Sequence, residues 1–503
     1  MSGGALASIA AVFQEPLGKI MIRRRPWVFA LLLLALRQGN TSAADAPAVP
    51  RPPVPEQNRN FNLTDDPLNR RESPSWLEPQ TQQQKKVINL SEQDLLARPE
   101  LLSRMMMVSL LKQDIRAIRV LYPIYIRLPG HDPLMARYAE GEIARDDGDF
   151  GTAIEKYRAI LDQDETLSMV RFSMAIALYV DNQLGPARRE FATLAQDSQT
   201  PEGFRQTIAM FQAGIDRQTG WKMDASVSYV SDPNVNNAPD QRYIDTAYGR
   251  WTLPARQSAH GVKYYAGLRR DTPIDGHFYW RNQAYVFGKS YWDNHDYDDV
   301  YGRLTSGIAW RSARHDLSLM PFFAHRWFGT EPYSQTVGAR AQENYFINRD
   351  WQIISALEYG RLTYDSRTYL DGYSLSASFS VVHRLSDRQY LVLGADAGKQ
   401  TARDRSDAYD YYGARLAHVF VWPLNITSQT EIGVVRREYQ ALNFFNVVQS
   451  DQDYTASLTL WKNDWSWQGF TPRLTFDYRK VNSNYVMAEY SKKQIGIEIK
   501  KEF

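Results

Sequence analysis

Lys492-Lys493-Gln494-Ile495-Gly496-Ile497-Glu498-Ile499-Lys500-Lys501-Glu502-Phe503 closes the chain, and its alternation decides the fold. Ile495, Ile497, Ile499 and Phe503 share one parity. Gln494, Glu498, Lys500 and Glu502 share the other, and Lys501 breaks the apolar row near its end. Successive side chains of a strand point to opposite faces, so this segment has one apolar and one polar face. The same period of two begins at Trp221, with Met223, Ala225, Val227 and Tyr229.

Between these two points the turn signals recur at the spacing of barrel strands. Strands are predicted near 221–231, 258–269, 277–291, 300–312, 316–327, 337–347, 351–362, 371–384, 389–399, 409–421, 425–438, 453–462, 469–479 and 488–503. That is an even set of 14, which returns both ends of the barrel to one side. Short connections near Arg314, Asn348, Asp387 and Pro423 alternate with longer polar ones at 232–257, 292–299, 328–336, 400–408, 439–452 and 480–487. Outer-membrane barrels pair tight periplasmic turns with longer outer loops in this way. Tyr345, Trp351, Tyr390, Tyr411, Trp422 and Trp461 lie at strand ends, where aromatic girdles belong. Past the amino terminus no apolar run reaches the roughly 20 residues of a membrane helix. A membrane protein without such helices must close its sheet. The terminal Phe503 resembles the signal that delivers bacterial barrels to their assembly machinery.

Composition narrows the function. A net charge of +2 gives no reason to expect nucleic acid, and the absence of cysteine excludes disulfides, thiolate metal sites and a lipid-anchored amino-terminal cysteine. Residues 1–44 read as a signal peptide. Arg23, Arg24 and Arg25 precede the apolar stretch Trp27–Leu36, and Ser42-Ala43-Ala44 supplies the cleavage site. Met21, directly before the arginines, offers an alternative start. Residues 45–89 form a proline-rich linker expected to be disordered.

Residues 90–218 read as a helical repeat domain. Gly141, Gly148, Phe150, Ala153 and Tyr157 fit a tetratricopeptide unit beginning near Leu134. A step of 34 residues from Phe150, Ala153 and Tyr157 lands on Leu184, Ala187 and Phe191, which is the period of that repeat. Gly148-Asp149 and Asp181-Asn182 mark the turns, and a degenerate earlier unit spans Leu101 to Pro129 with Ala117 and Leu121 as its contacts. Residues 201–217 are expected to cap the array. First helices of such units line a concave face. Those positions hold Tyr138, Glu142 and Arg145, then Phe172, Ile176 and Tyr179, which we take as a candidate cargo-binding groove.

The sequence shows no catalytic, cofactor or metal signature. Its eight histidines (His131, His260, His277, His295, His315, His325, His383 and His418) form no helical metal pair. The acidic run Asp293, Asp296, Asp298 and Asp299 lacks the spacing and glycine of a calcium loop. Lumen parity carries polar residues, as with Arg281, Gln283 and Lys289 on one strand. No enzymatic activity is expected.

The opening Tyr229-Val230-Ser231-Asp232-Pro233-Asn234-Val235-Asn236-Asn237-Ala238, the Arg256-Gln257-Ser258 stretch and the aromatic finish are similar to the surface lipoprotein assembly modulator family. The resemblance covers roughly residues 90–503. It implies a periplasmic tetratricopeptide-like domain at 90–218 and an outer-membrane barrel of 14 strands at 219–503. Such a protein would move lipoproteins or related secreted proteins to the cell surface. Its partners would be that cargo, the barrel-assembly machinery and outer-membrane lipids. A polysaccharide exporter and a plain uptake channel with a periplasmic repeat domain are the competing expectations.

Overall fold

The computed structural model describes residues 91–197, 202–246 and 249–502. All of them belong to one unit, Pro55–Phe503. The signal peptide and linker over 1–89, and the terminal signal at Phe503, lie outside the described residues.

Eight described helices come first: α1 (Glu92–Leu96), α2 (Pro99–Leu111), α3 (Ile115–Tyr125), α4 (Pro133–Asp146), α5 (Phe150–Leu161), α6 (Ser168–Val180), α7 (Leu184–Gln196) and α8 (Glu202–Thr219). Their ends follow local chemistry. Pro133 opens α4 behind the Asp132 cap, and Asp149 caps α5 through the Thr152 N–H. Gly148 and Asn182 both adopt positive φ in the tight turns between paired helices. Gln113 does the same between α2 and α3, so the degenerate first unit is a true helical pair. Its turn stands 35 residues before Gly148, one more than the repeat. The fully buried contact is therefore Ile118; Leu121 is also buried, and Ala117 is only half-buried. Ala153, Tyr157, Leu184, Ala187 and Phe191 are all fully buried, as the period requires. Gly141 lets α4 cross α5 closely, because a Cβ there would stand 2.5 Å from the Tyr157 ring.

The barrel follows: β1 (Lys222–Asp232), a separate hairpin of β2 (Tyr243–Thr246) and β3 (Gly249–Thr252), then β4 (Ala259–Asp275), β5 (Phe278–Tyr291), β6 (Asp299–Arg311), β7 (His315–Phe328), β8 (Glu331–Phe346), β9 (Trp351–Tyr364), β10 (Gly372–Ser386), β11 (Gln389–Gln400), β12 (Tyr409–Trp422), β13 (Ile426–Leu442), β14 (Val448–Lys462), β15 (Phe470–Ser483) and β16 (Tyr490–Glu502). Each barrel strand pairs antiparallel with its neighbours, and β1 closes on β16, giving 14 strands. Among the described residues no helix is long and apolar enough to cross a membrane.

Register fixes the faces. Residues directly opposite share a side, and Val227 opposes Ile499 while Tyr229 opposes Ile497. All four are exposed on the outside, in line with Leu357, Phe379, Leu393, Leu416 and Ile432. The inward face carries Arg281, Arg303, Arg326, Arg415 and Asp453. A closed sheet with an apolar exterior and a charged interior is an outer-membrane barrel. The girdle expectation holds for Tyr345, Trp351 and Trp422, which share the outward parity. It fails for Tyr390, Tyr411 and Trp461, which oppose the inward residues Arg384, Gly398 and Arg473. Position near a strand end sets height, not face. Two expected long loops are also short. β7 and β8 join through Gly329-Thr330, both at positive φ, and β13 and β14 through residues 443–447. Above an apolar band, strands continue with polar residues that read as loop.

Candidate functional site: the helical dock and the barrel interior

Of the six residues assigned to a groove, Tyr138, Glu142, Phe172 and Ile176 are buried in the helical domain, and Arg145 and Tyr179 are half-buried against it. Glu142 is 2% exposed; it pairs with Arg145 and accepts from Tyr157 Oη at 3.0 Å. Tyr138 Oη meets Ser173 Oγ at 3.0 Å and stacks edge-on against Tyr157. Burial pushes the Tyr157 hydroxyl well above its ordinary range, with the Glu142 charge adding to the shift. Phe172 packs edge-on against Phe191, Phe204 and Phe211, and Tyr179 against Phe211. Ile176 is also buried. The expected aromatic groove is thus filled by α8, whose Phe204 and Phe211 turn Phe172 and Tyr179 into core. A sequence period places these residues on one face, but says nothing about what covers it.

A different element does the joining. The turn between α6 and α7 seats in the barrel rim formed by the β4–β5 and β6–β7 turns. The Ala313 N–H donates to Asp181 Oδ1 at 3.2 Å, and His277 Nε2 lies 2.7 Å from Asp181 Oδ2. Asn182 Nδ2 donates to the Ser312 carbonyl at 2.7 Å. Tyr279 Oη donates to the Asn182 carbonyl and accepts from the Leu184 N–H at 3.2 Å. Tyr279 and Ala309 are fully buried and belong to the same apolar core as the helices. The left-handed conformation of Asn182 presents this tip; the short polar side chain of asparagine tolerates it. The dock joins residues 95 to 132 positions apart, and only the Asp181-Asn182 turn was legible beforehand.

Inside the barrel, charges of both signs pair with one another. Arg281, 3% exposed, donates to Asp271 at 2.9 Å and to Asp316 at 2.9 Å. Arg303 makes a forked contact with Glu358 at 3.1 and 3.0 Å, and Arg340 adds a third bond. Arg326 forks onto Asp299, Arg415 meets Asp396, and Arg479 forks onto Asp453. Buried carboxylates that keep such partners carry their charge without an ion from solution.

The acidic run 293–299 is likewise engaged by protein groups. Asp293 accepts from the His260 N–H at 2.8 Å, and Asp298 from the Tyr291 N–H at 2.7 Å. Among the described residues no group of three or more His, Asp or Glu side chains is placed to hold a metal ion.

Both halves of the chain match one family. Residues 221–503 match the surface lipoprotein assembly modifier family, and residues 88–191 match its amino-terminal tetratricopeptide repeats. The chain belongs to this family. Surface lipoprotein assembly modifier 1 of Neisseria meningitidis is 30% identical over 96% of this chain and 98% of that relative. Surface lipoprotein assembly modifier 1 of Haemophilus influenzae is 29% identical over 83% of this chain and 87% of the relative. The hemophilin secretion modulator of Acinetobacter baumannii is 22% identical over 83% and 88%.

Proposed function

We propose that this protein is an outer-membrane translocator that delivers lipoproteins or related secreted proteins to the cell surface. The observation carrying this reading is the match across both halves, to relatives named for assembling surface lipoproteins and, in one case, for hemophilin secretion. The helical domain sits at the tight-turn end of the barrel, which in such barrels faces the periplasm. There it would meet cargo before the membrane. Cargo contact is not assigned to Tyr138, Glu142, Phe172 or Ile176, which are buried. A lumen of mutually paired charges suits a mixed polypeptide better than a polymer of one sign, which disfavours an exporter of acidic polysaccharide.

Co-expression with candidate lipoproteins from the same genome, in a host lacking both, tests the reading. At least one of them should become accessible to added protease in intact cells, with a periplasmic marker protected. Protection of all of them at normal barrel levels overturns it.

A further inference from the structure

The contact between β1 and β16 is built differently from every other contact in the wall. Among the described residues its ladder runs over seven pairs, Asp224 with Glu502 to Val230 with Gly496. On its other side β1 pairs with β4 over eleven residues, Lys222 to Asp232. β16 pairs with β15 along twelve, up to Tyr490. Ser231 and Asp232 of β1, and Tyr490 to Ile495 of β16, are therefore outside the shared ladder.

Bonds made mostly by side chains take the place of the ladder there. Lys492 Nζ donates to Asp232 Oδ2 at 3.1 Å and to Asn237 Oδ1 at 3.0 Å. Asp240, in the connection after β1, accepts from the Ser491 N–H and Oγ at 3.0 Å each, and Arg256 pairs with its carboxylate. The Asp240 N–H donates to the Glu489 carbonyl at 3.0 Å. Asp232 is 2% exposed, so its pairing with Lys492 is shielded from water. The half of the contact near the helical domain keeps its ladder with a small residue on one side of several pairs: Ala225, Ser226 and Ser228 oppose Lys501, Lys500 and Glu498, and Gly496 opposes Val230. Glycine and small side chains leave a ladder with little cross-strand packing.

We infer that the β1–β16 contact is a lateral exit for a lipid-anchored polypeptide, held shut on its far half by the Lys492 and Asp240 latch. This rests on the translocator reading. The chemistry on the two sides of the contact names the class. Lumenward stand Ser226, Ser228, Glu498 and Lys500; outward stand Val227, Tyr229, Ile495, Ile497 and Ile499. A polypeptide carrying acyl chains cannot draw them through the charged lumen cheaply, because every methylene would leave lipid. Parting this contact sets the polar path beside the bilayer, so the polypeptide crosses while its chains stay in lipid.

The absence of cysteine permits a direct test. Ser228→Cys with Glu498→Cys places two thiols on directly opposed residues, within disulfide reach. Ala377→Cys with Ala397→Cys does the same between β10 and β11. The probes are the tagged lipoprotein displayed in the co-expression experiment and the same polypeptide with its lipidated cysteine removed. Each barrel is first shown to be inserted by heat-modifiable migration while reduced. Oxidation should cut lipoprotein display at least tenfold for the β1–β16 pair, with recovery on reduction, and should leave the β10–β11 pair unaffected. Unchanged lipoprotein display under the β1–β16 disulfide overturns the inference while leaving the translocator reading intact. Equal loss of the lipidated and unlipidated forms overturns the assignment to the lipid-anchored class. Absence of display from the reduced protein would strike the translocator reading instead.

Discussion

Glu142 and Gly141 show how much a single position carries. Glu142 pairs with Arg145 and Tyr157 inside the helical core, and removing one partner of a buried pair strands the other charge. Glu142→Ala should therefore destabilise the helical domain by about 3–5 kcal/mol, measured as loss of helical ellipticity at lower denaturant than the barrel signal. Gly141→Ala pushes a methyl group into the fully buried Tyr157 ring and should cost about 1–3 kcal/mol in the same assay. The small residue and the aromatic of this crossing were legible because the repeat demands them at fixed spacing. The burial of Glu142 was not, because the positions of a repeat face carry no record of their partners. For the same reason Phe172→Ser should act by unfolding. Phe172 packs against three rings, and its truncation should cost about 3–5 kcal/mol. A variant that keeps full helical stability contradicts this placement.

At the scale of elements, strands were read well and their faces only partly. Period two and turn residues locate a strand, and the terminal isoleucines identified the outward side correctly. Tyr390, Tyr411 and Trp461 needed the register to be turned inward. The β2–β3 hairpin escaped notice within a long polar connection, although Gly249 at positive φ and the flanking Tyr243 and Trp251 mark it in retrospect. Parity makes a sharp forecast for β16. Ile497→Lys places a cation on the lipid face and should cost about 2–4 kcal/mol near mid-membrane. Gln494→Lys, on the lumen face, should cost little. Quantifying heat-modifiable barrel in outer-membrane fractions checks this, and equal yields would contradict the assigned faces. The dock between α6–α7 and the rim was invisible in sequence because it joins distant segments. Asp181→Ala with Tyr279→Phe removes the bonds to His277, Ala313, Asn182 and Leu184. The helical domain should then be released faster by limited proteolysis, with barrel migration unchanged.

On the scale of the whole molecule, a repeat domain is seated on the tight-turn mouth of a closed barrel with a charged interior and one wall contact whose ladder is shorter than the others. Full delivery needs both halves on the proposed reading, in which the helices meet cargo and the barrel passes it. The architecture was legible because membrane physics leaves few options to a membrane chain with no membrane-length apolar run past its amino terminus. The seating of the helices on the barrel was not, since it depends on contacts between segments far apart in sequence. The most direct measurement compares protease access to the lipoprotein in intact cells expressing the full chain, residues 221–503 alone, or residues 90–218 alone. The account predicts full display with the whole chain, weaker display with the inserted barrel alone, and none with the helical domain alone. Display by the barrel alone equal to that of the whole chain would contradict it.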